Sequence, residues 1–240
     1  MSGPLPGQFD QPIGEAIKPI LNGETAILVC TGPSVKEQVK EIRNAKAGKR
    51  CRIITVNNAY ELFPFADAHI SCNYDWWEYY WPKSAILREM ACPKYTWYKH
   101  IADRYGIQYV KAVVKDGLSI DPQIIHINHG SGPMGINLAL HLGVKKLLLV
   151  GHDMKFAPDY NGARRKAGST DRHFFGEYPK ELQHWPSVKV GKSKPGVMDG
   201  LIEAYDKMVP QLPSLEMEII NCTPGTALNS FPKSTLEEEL

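Results

Sequence analysis

"AILVCTGPSVKEQ", residues 26–38, sets an apolar run against Gly-Pro-Ser and starts a polar, helix-favouring segment at once. A buried strand feeding a helix through a tight turn is the first half of a β-α-β unit. Residues 51–57, 67–72, 145–151 and 215–221 repeat the strand signal: each is short, rich in β-branched residues or leucine, and bounded by Gly, Pro or Asn. Helical patterns alternate with them at 34–47, 75–90, 132–142 and 196–209. That alternation predicts an α/β protein with a doubly wound, mainly parallel sheet and helices on both faces, in one domain over 1–240. The uninterrupted apolar run at 147–150 agrees, because such a sheet hides both sides of each strand.

Composition limits the partners. At 240 residues and 43% hydrophobic the chain can bury a full core, and a net charge of +2 does not by itself announce a nucleic-acid or membrane protein. Five cysteines lie far apart without a C-x-x-C pair, which favours buried free thiols in a reducing compartment over disulfides or a zinc site. The start "MSGPLPGQFDQPIG" has neither a basic nor an apolar leader region, and Lys145-Lys146 interrupt the most apolar later stretch. The expectation is a cytoplasmic protein without membrane insertion.

Two stretches break the alternation. Residues 99–130 are mixed. Residues 151–195 hold Gly, Pro, charge and six aromatics without a clear period, which predicts a lid. Nine Lys/Arg against five Asp/Glu in that lid suit an anionic ligand.

Ligands of an open parallel sheet bind beyond the carboxyl ends of its strands. Gly32 permits a tight turn there, Pro33 stiffens it, and Ser34 either caps the next helix or donates to a ligand oxygen. Asn57-Asn58, Asn73-Tyr74-Asp75 and Gly151-His152-Asp153 end other strands, and "HGSG", 129–132, opens the helix before the strand at 145–151. Each also has a local explanation, such as a strand stop, a helix cap or a salt bridge of Asp153 with Lys155 or Arg172. All fall on one edge, where amides and hydroxyls suit a base and ribose and backbone N–H groups suit phosphate.

The succession "TGPSVKE", "TVNNAYE", "ISCNYDWWEYYWPKS", "GSGPMGINLALHLGVKKLLLVGHDM", "TDRHFFGEYP" and "IINCTPGTALNSF" resembles the bacterial sialyltransferases of glycosyltransferase family 42. It is equally similar to a broader Rossmann-like superfamily with the 6-hydroxymethylpterin pyrophosphokinase-like proteins and many bacterial and phage proteins. The resemblance covers about residues 25–231. It implies that the loop at Cys30 to Ser34, including Thr31, Gly32, Pro33 and Ser34, holds the donor nucleotide, although Thr31 stands where the family has Asn. It implies nucleotide contacts from Asn57 and Asn73, and an approach of Ser131-Gly132 to the base. After Gly151 to Asp153 the family's phosphate-binding tyrosine is replaced by Lys155, and a second tyrosine has only an approximate counterpart in Tyr160. The family's general-base run reads "DRHFFGE" here, with His173 kept and Glu177 at the later histidine's position.

The implied activity is transfer of a glycosyl group from a nucleotide sugar, with a pyrimidine base favoured and no metal expected, to a glycan or other hydroxyl-bearing acceptor. His173 or Glu177 would take the acceptor proton, and Lys155 would neutralise the departing phosphate. Four residues separate His173 from Glu177, so they would share a face if that part of the lid is helical. One alternative is an ATP- and magnesium-dependent pyrophosphokinase-like transferase with Asp75 and Asp153 as metal ligands. Another is a non-catalytic nucleotide or nucleic-acid binding module, and a homo-oligomer stays open. His69 and His141 are expected to be packed or solvent-facing, and His126, His129 and His152 lack metal-site spacing. In "WWEYYW", 76–81, Trp77 and Tyr80 or their neighbours are expected to divide between core and acceptor rim, and "GARRKAG", 162–168, reads as a solvated loop.

Overall fold

The computed structural model describes residues 15–127, 130–155, 173–182 and 197–240, and of residues 197–199 the backbone alone. Its centre is a seven-stranded sheet in the order β5-β4-β3-β2-β1-β8-β9. The strands are β1 (Thr25–Val29), β2 (Arg52–Val56), β3 (Ala68–Ile70), β4 (Lys94–Thr96), β5 (Gln108–Tyr109), β8 (Lys146–Val150) and β9 (Glu218–Asn221). Every neighbouring pair is parallel. A separate parallel pair, β6 (Lys111–Val114) with β7 (Ile124–Ile127), fills part of the stretch that the sequence left mixed.

Alternation along each strand sorts the core into two layers. Ala26, Leu28, Ile54, Val56, Leu147 and Leu149 face helices α5 (Ser131–His141) and α6 (Val197–Asp206). Ile27, Val29, Ile53, Leu148 and Val150 face α1 (Val35–Ala47), α2 (Tyr74–Lys83) and α3 (Ala85–Glu89). The sheet is therefore wound on both faces, as expected from the apolar run at 147–150. The helix expected at 75–90 is two helices, because Ser84 leaves helical geometry just after Pro82 and caps α3 by accepting the Leu87 N–H.

Helix α5 is buried almost all round, since the main sheet covers one side and the β6–β7 pair covers the other. Asn137 fastens that cover: its Oδ1 accepts the backbone N–H groups of Ser119 and His126, and its Nδ2 donates to Ser119 O. His141 is buried and lies 2.9 Å from the Ile124 carbonyl oxygen, and His69 is fully buried in β3. Both histidines are packed. No helix among the described residues is long and apolar enough to cross a membrane. All five cysteines are free.

Of the lid expected at 151–195, the described parts are 151–155 and 173–182. Residues 173–176 form a tight turn, with an antiparallel bridge from His173 to Gly176 and the Gly176 N–H donating to His173 O. His173 and Glu177 therefore do not share a helical face. Burial of Phe174 and Tyr178 in the layer under α1 fixes this turn against the body. Arg172, Tyr160, the 162–168 run and His129 lie outside the described residues.

Candidate functional site

β1 pairs with β2 on one side and with β8 on the other, so the chain reverses direction across the sheet at the β1–β8 junction. A crevice opens at such a point beyond the strand ends. The two turns there are in contact, with Gly32 N–H donating to Gly151 O at 3.0 Å. A Cβ on Gly32 would stand 1.9 Å from Asp153 Oδ2 and 2.5 Å from Gly151 O, so only glycine fits.

Asp153 occupies the start of α1. Its Oδ1 accepts the Ser34 N–H at 3.3 Å and its Oδ2 accepts the Ser34 hydroxyl at 2.8 Å. Ser34 is thus the N-cap residue without a side-chain cap bond of its own, and its hydroxyl is committed to Asp153. Burial raises the Asp153 carboxyl above its ordinary value, opposed first by these Ser34 bonds. Lys155 Nζ donates to the Gly225 carbonyl, on the loop after β9.

From β1 outward, the predicted residues form a chain of contacts. Thr31 Oγ1 and His173 Nδ1 are hydrogen-bonded at 2.9 Å, and the Phe174 N–H donates to Thr31 O. The His173 ring stacks on Phe175 at 4.9 Å and meets the Tyr178 ring at 4.8 Å. The Tyr178 hydroxyl lies beside the Asn57 side chain. Asn57 Oδ1 also accepts the Ser131 hydroxyl at 3.4 Å. Ser131 Oγ lies 2.7 Å from Cys72 Sγ, and Cys72 contacts Asn73 Oδ1 at 2.8 Å. Thr31, Asn57, Asn73, Ser131 and His173 are therefore brought together, and Gly132 follows Ser131 in the first turn of α5.

Asn57 begins a short 3₁₀ turn (Asn57–Glu61) at φ 49°, a left-handed conformation that Asn tolerates better than most residues. Its amide side chain is thereby placed at the end of β2. Cys72 had no sequence signal for a site, because a cysteine at the end of an apolar run reads as core.

Burial keeps the thiol, phenol and imidazole groups packed at this edge uncharged. It pushes the Cys72 thiol up to about 11 and the Tyr178 phenol well above its ordinary value. His152 is pulled down to about 4. Its Nδ1–H donates to Val150 O at 3.2 Å and its Nε2 faces Cys30 Sγ at 3.4 Å. Burial also raises the Cys30 thiol, so this pair is a neutral packing contact. Among the described residues no group of three His, Cys, Asp or Glu side chains could hold a metal ion, so Asp75 and Asp153 belong to no such cluster.

The winding and its switch point define a Rossmann-like α/β fold. No protein-family model matches the chain, and no curated protein matches it. Among solved structures the chain is similar to the MAf glycosyltransferase from Magnetospirillum magneticum AMB-1, with a TM-score of 0.48 and 15% identity. The match covers 98% of this chain and 38% of that one, so the chain spans well under half of that protein's length.

Proposed function

We propose that the edge beyond β1, β2 and β3 binds a pyrimidine nucleotide-linked sugar and that the protein transfers the glycosyl group to an acceptor hydroxyl. The observation that supports this reading is the run of contacts from His173 through Thr31, Tyr178, Asn57 and Ser131 to Asn73 beside the switch point. Neutral amides and hydroxyls at such an edge suit a base and ribose. A histidine anchored at the same edge suits proton transfer at neutral pH.

In the proposed reaction the acceptor oxygen bonds to the anomeric carbon as the bond from that carbon to the phosphate oxygen breaks. The electron pair leaves with the phosphate, and the acceptor proton passes to His173. His173 is oriented for this step by the hydrogen bond between its Nδ1 and Thr31 Oγ1.

The test is release of nucleotide from a panel of cytidine and uridine nucleotide sugars, with and without glycan acceptors and with chelator present. Once a donor turns over, His173→Ala should lower turnover about a hundredfold while donor affinity stays within a few-fold. Full activity of His173→Ala together with a dead Glu177→Gln would make the carboxylate the base. Full activity of both would remove the proposed chemistry from this turn.

Asn57 gives a second expectation. Asn57→Gly keeps the left-handed turn and deletes the amide, so nucleotide affinity should fall about tenfold, with a stability loss of about 1–3 kcal/mol from the Ser131 hydroxyl left without its acceptor. Asn57→Ala should add about 1 kcal/mol of destabilisation from the backbone alone. Calorimetric titration and denaturant melts of both variants check this, and unchanged affinity in both would take Asn57 out of the site.

A further inference from the structure

Helix N-termini are the natural anion sites of such an edge, but they are not equally available. The start of α1 already holds the Asp153 carboxylate on the Ser34 N–H. Helix α2 carries Asp75 in its first turn. Helix α5, eleven residues long, begins at Gly130 with no side-chain cap and no acidic residue in its first turn.

A second and independent feature lies at that same helix start. Tyr205, on α6, is fully buried, and among the described residues its hydroxyl has no hydrogen-bond partner. The ring is held edge-on by His152 at 5.8 Å and Phe231 at 6.1 Å. Its hydroxyl is aimed at the first turn of α5, where a Cβ on Gly132 would stand 2.1 Å from it. Burial raises the phenol well above its ordinary value, so at neutral pH the group is an O–H donor. A buried hydroxyl without an acceptor is costly, and a fold keeps one where something else completes it.

We infer that Tyr205 is a ligand-binding residue whose hydroxyl donates to a phosphate oxygen of the nucleotide, held at the N-terminus of α5. The inference rests on the nucleotide reading above and deepens it by fixing the phosphate's place. It turns the nucleotide round relative to the family resemblance, which would put the base rather than the phosphate at Ser131-Gly132. Gly132 is required in this arrangement because its missing side chain is the space that the hydroxyl occupies.

The experiment compares the wild-type protein and Tyr205→Phe by calorimetric titration with CMP, cytidine and inorganic pyrophosphate, alongside thermal melts without ligand. Tyr205→Phe should weaken CMP and pyrophosphate about tenfold, leave cytidine unchanged, and melt at the same or a higher temperature. Equal CMP affinity in the two proteins overturns the inference, as does an equal loss for cytidine, which would place the hydroxyl on the nucleoside. A lower melting temperature with CMP affinity intact would mean that the hydroxyl bonds a buried water, and also overturns it. If the wild type binds pyrophosphate through Tyr205 but no nucleotide, the nucleotide reading falls and the anion site stands. If it binds neither, both fall. The geometry has its own control: Gly132→Ala should lower the melting temperature less in the Tyr205→Phe background than in wild type. An equal loss in both would show that the hydroxyl does not face Gly132, against the inference.

Discussion

Between pH 7 and pH 5 the ligand-free protein should lose about 4 kcal/mol of stability, about 2 from each of His69 and His152. Burial pulls His69 down to about 3 and His152 to about 4. Both lie below the value of about 6.5 that an unfolded histidine has, so the unfolded chain takes up these protons first. Their contribution is intact above about pH 6.5 and declines by about 1.4 kcal/mol per pH unit for each histidine as pH falls toward the folded values. His126 and His141, lowered by burial as well, act in the same direction. Asp153 and Glu61 act against it, because burial raises their carboxyls and the folded state takes up those protons more readily. Denaturant melts at half-unit steps check the slope, and His152→Gln should remove close to half of it. A flat profile from pH 7 to 5 would mean that neither histidine is held neutral in the folded protein.

Trp77→Ala should destabilise the fold by about 3–5 kcal/mol, the cost of emptying a fully packed indole site. Trp77 is completely buried, its Nε1–H donates to Ser71 O at 3.1 Å, and its ring meets those of Trp76 and His69 at 5.0 and 5.6 Å. Trp76 is equally buried, with its Nε1–H donated to Asn58 Oδ1 at 2.8 Å. Of the expected division between core and rim, both tryptophans thus fall to the core. Tyr79, Tyr80 and Trp81 are half-buried. A cost below about 1 kcal/mol, typical of a surface substitution, would mean that Trp77 is not the core residue the structure makes it.

How far the sequence could be read follows from where its signals were local. β1, β2, β3, β8 and β9 are apolar runs with clear punctuation, and each lies within the range expected for it. β4 escaped because Lys94 sits inside it: the side chain is buried with its Nζ donating to Met90 O, so a charged residue occupies a position that pattern reading assigns to a loop. β5 is two residues long, too short for any period to show. The β6–β7 pair has exposed or half-buried positions beside buried ones and no flanking β-α-β unit to announce it.

The candidate site divides in the same way. Thr31, Asn57, Asn73 and Asp153 were legible because strand-end position alone puts them on the edge. The commitment of Ser34 to Asp153, across 119 residues, was not, because it depends on how two turns meet at the switch point. Tyr205 was less legible still. Only the packing of α6 over the start of α5 separates its hydroxyl from an ordinary core tyrosine.

The most direct measurement is a denaturant or thermal melt of the full chain with CMP, UMP, CDP and UDP, and with ATP plus magnesium, each near a hundred times its dissociation constant. A pyrimidine nucleotide that binds the folded state alone should stabilise it by about 2.7 kcal/mol, with or without chelator. No stabilisation by any pyrimidine nucleotide, together with a clear shift from ATP and magnesium, would contradict the account and favour the phosphoryl-transfer reading.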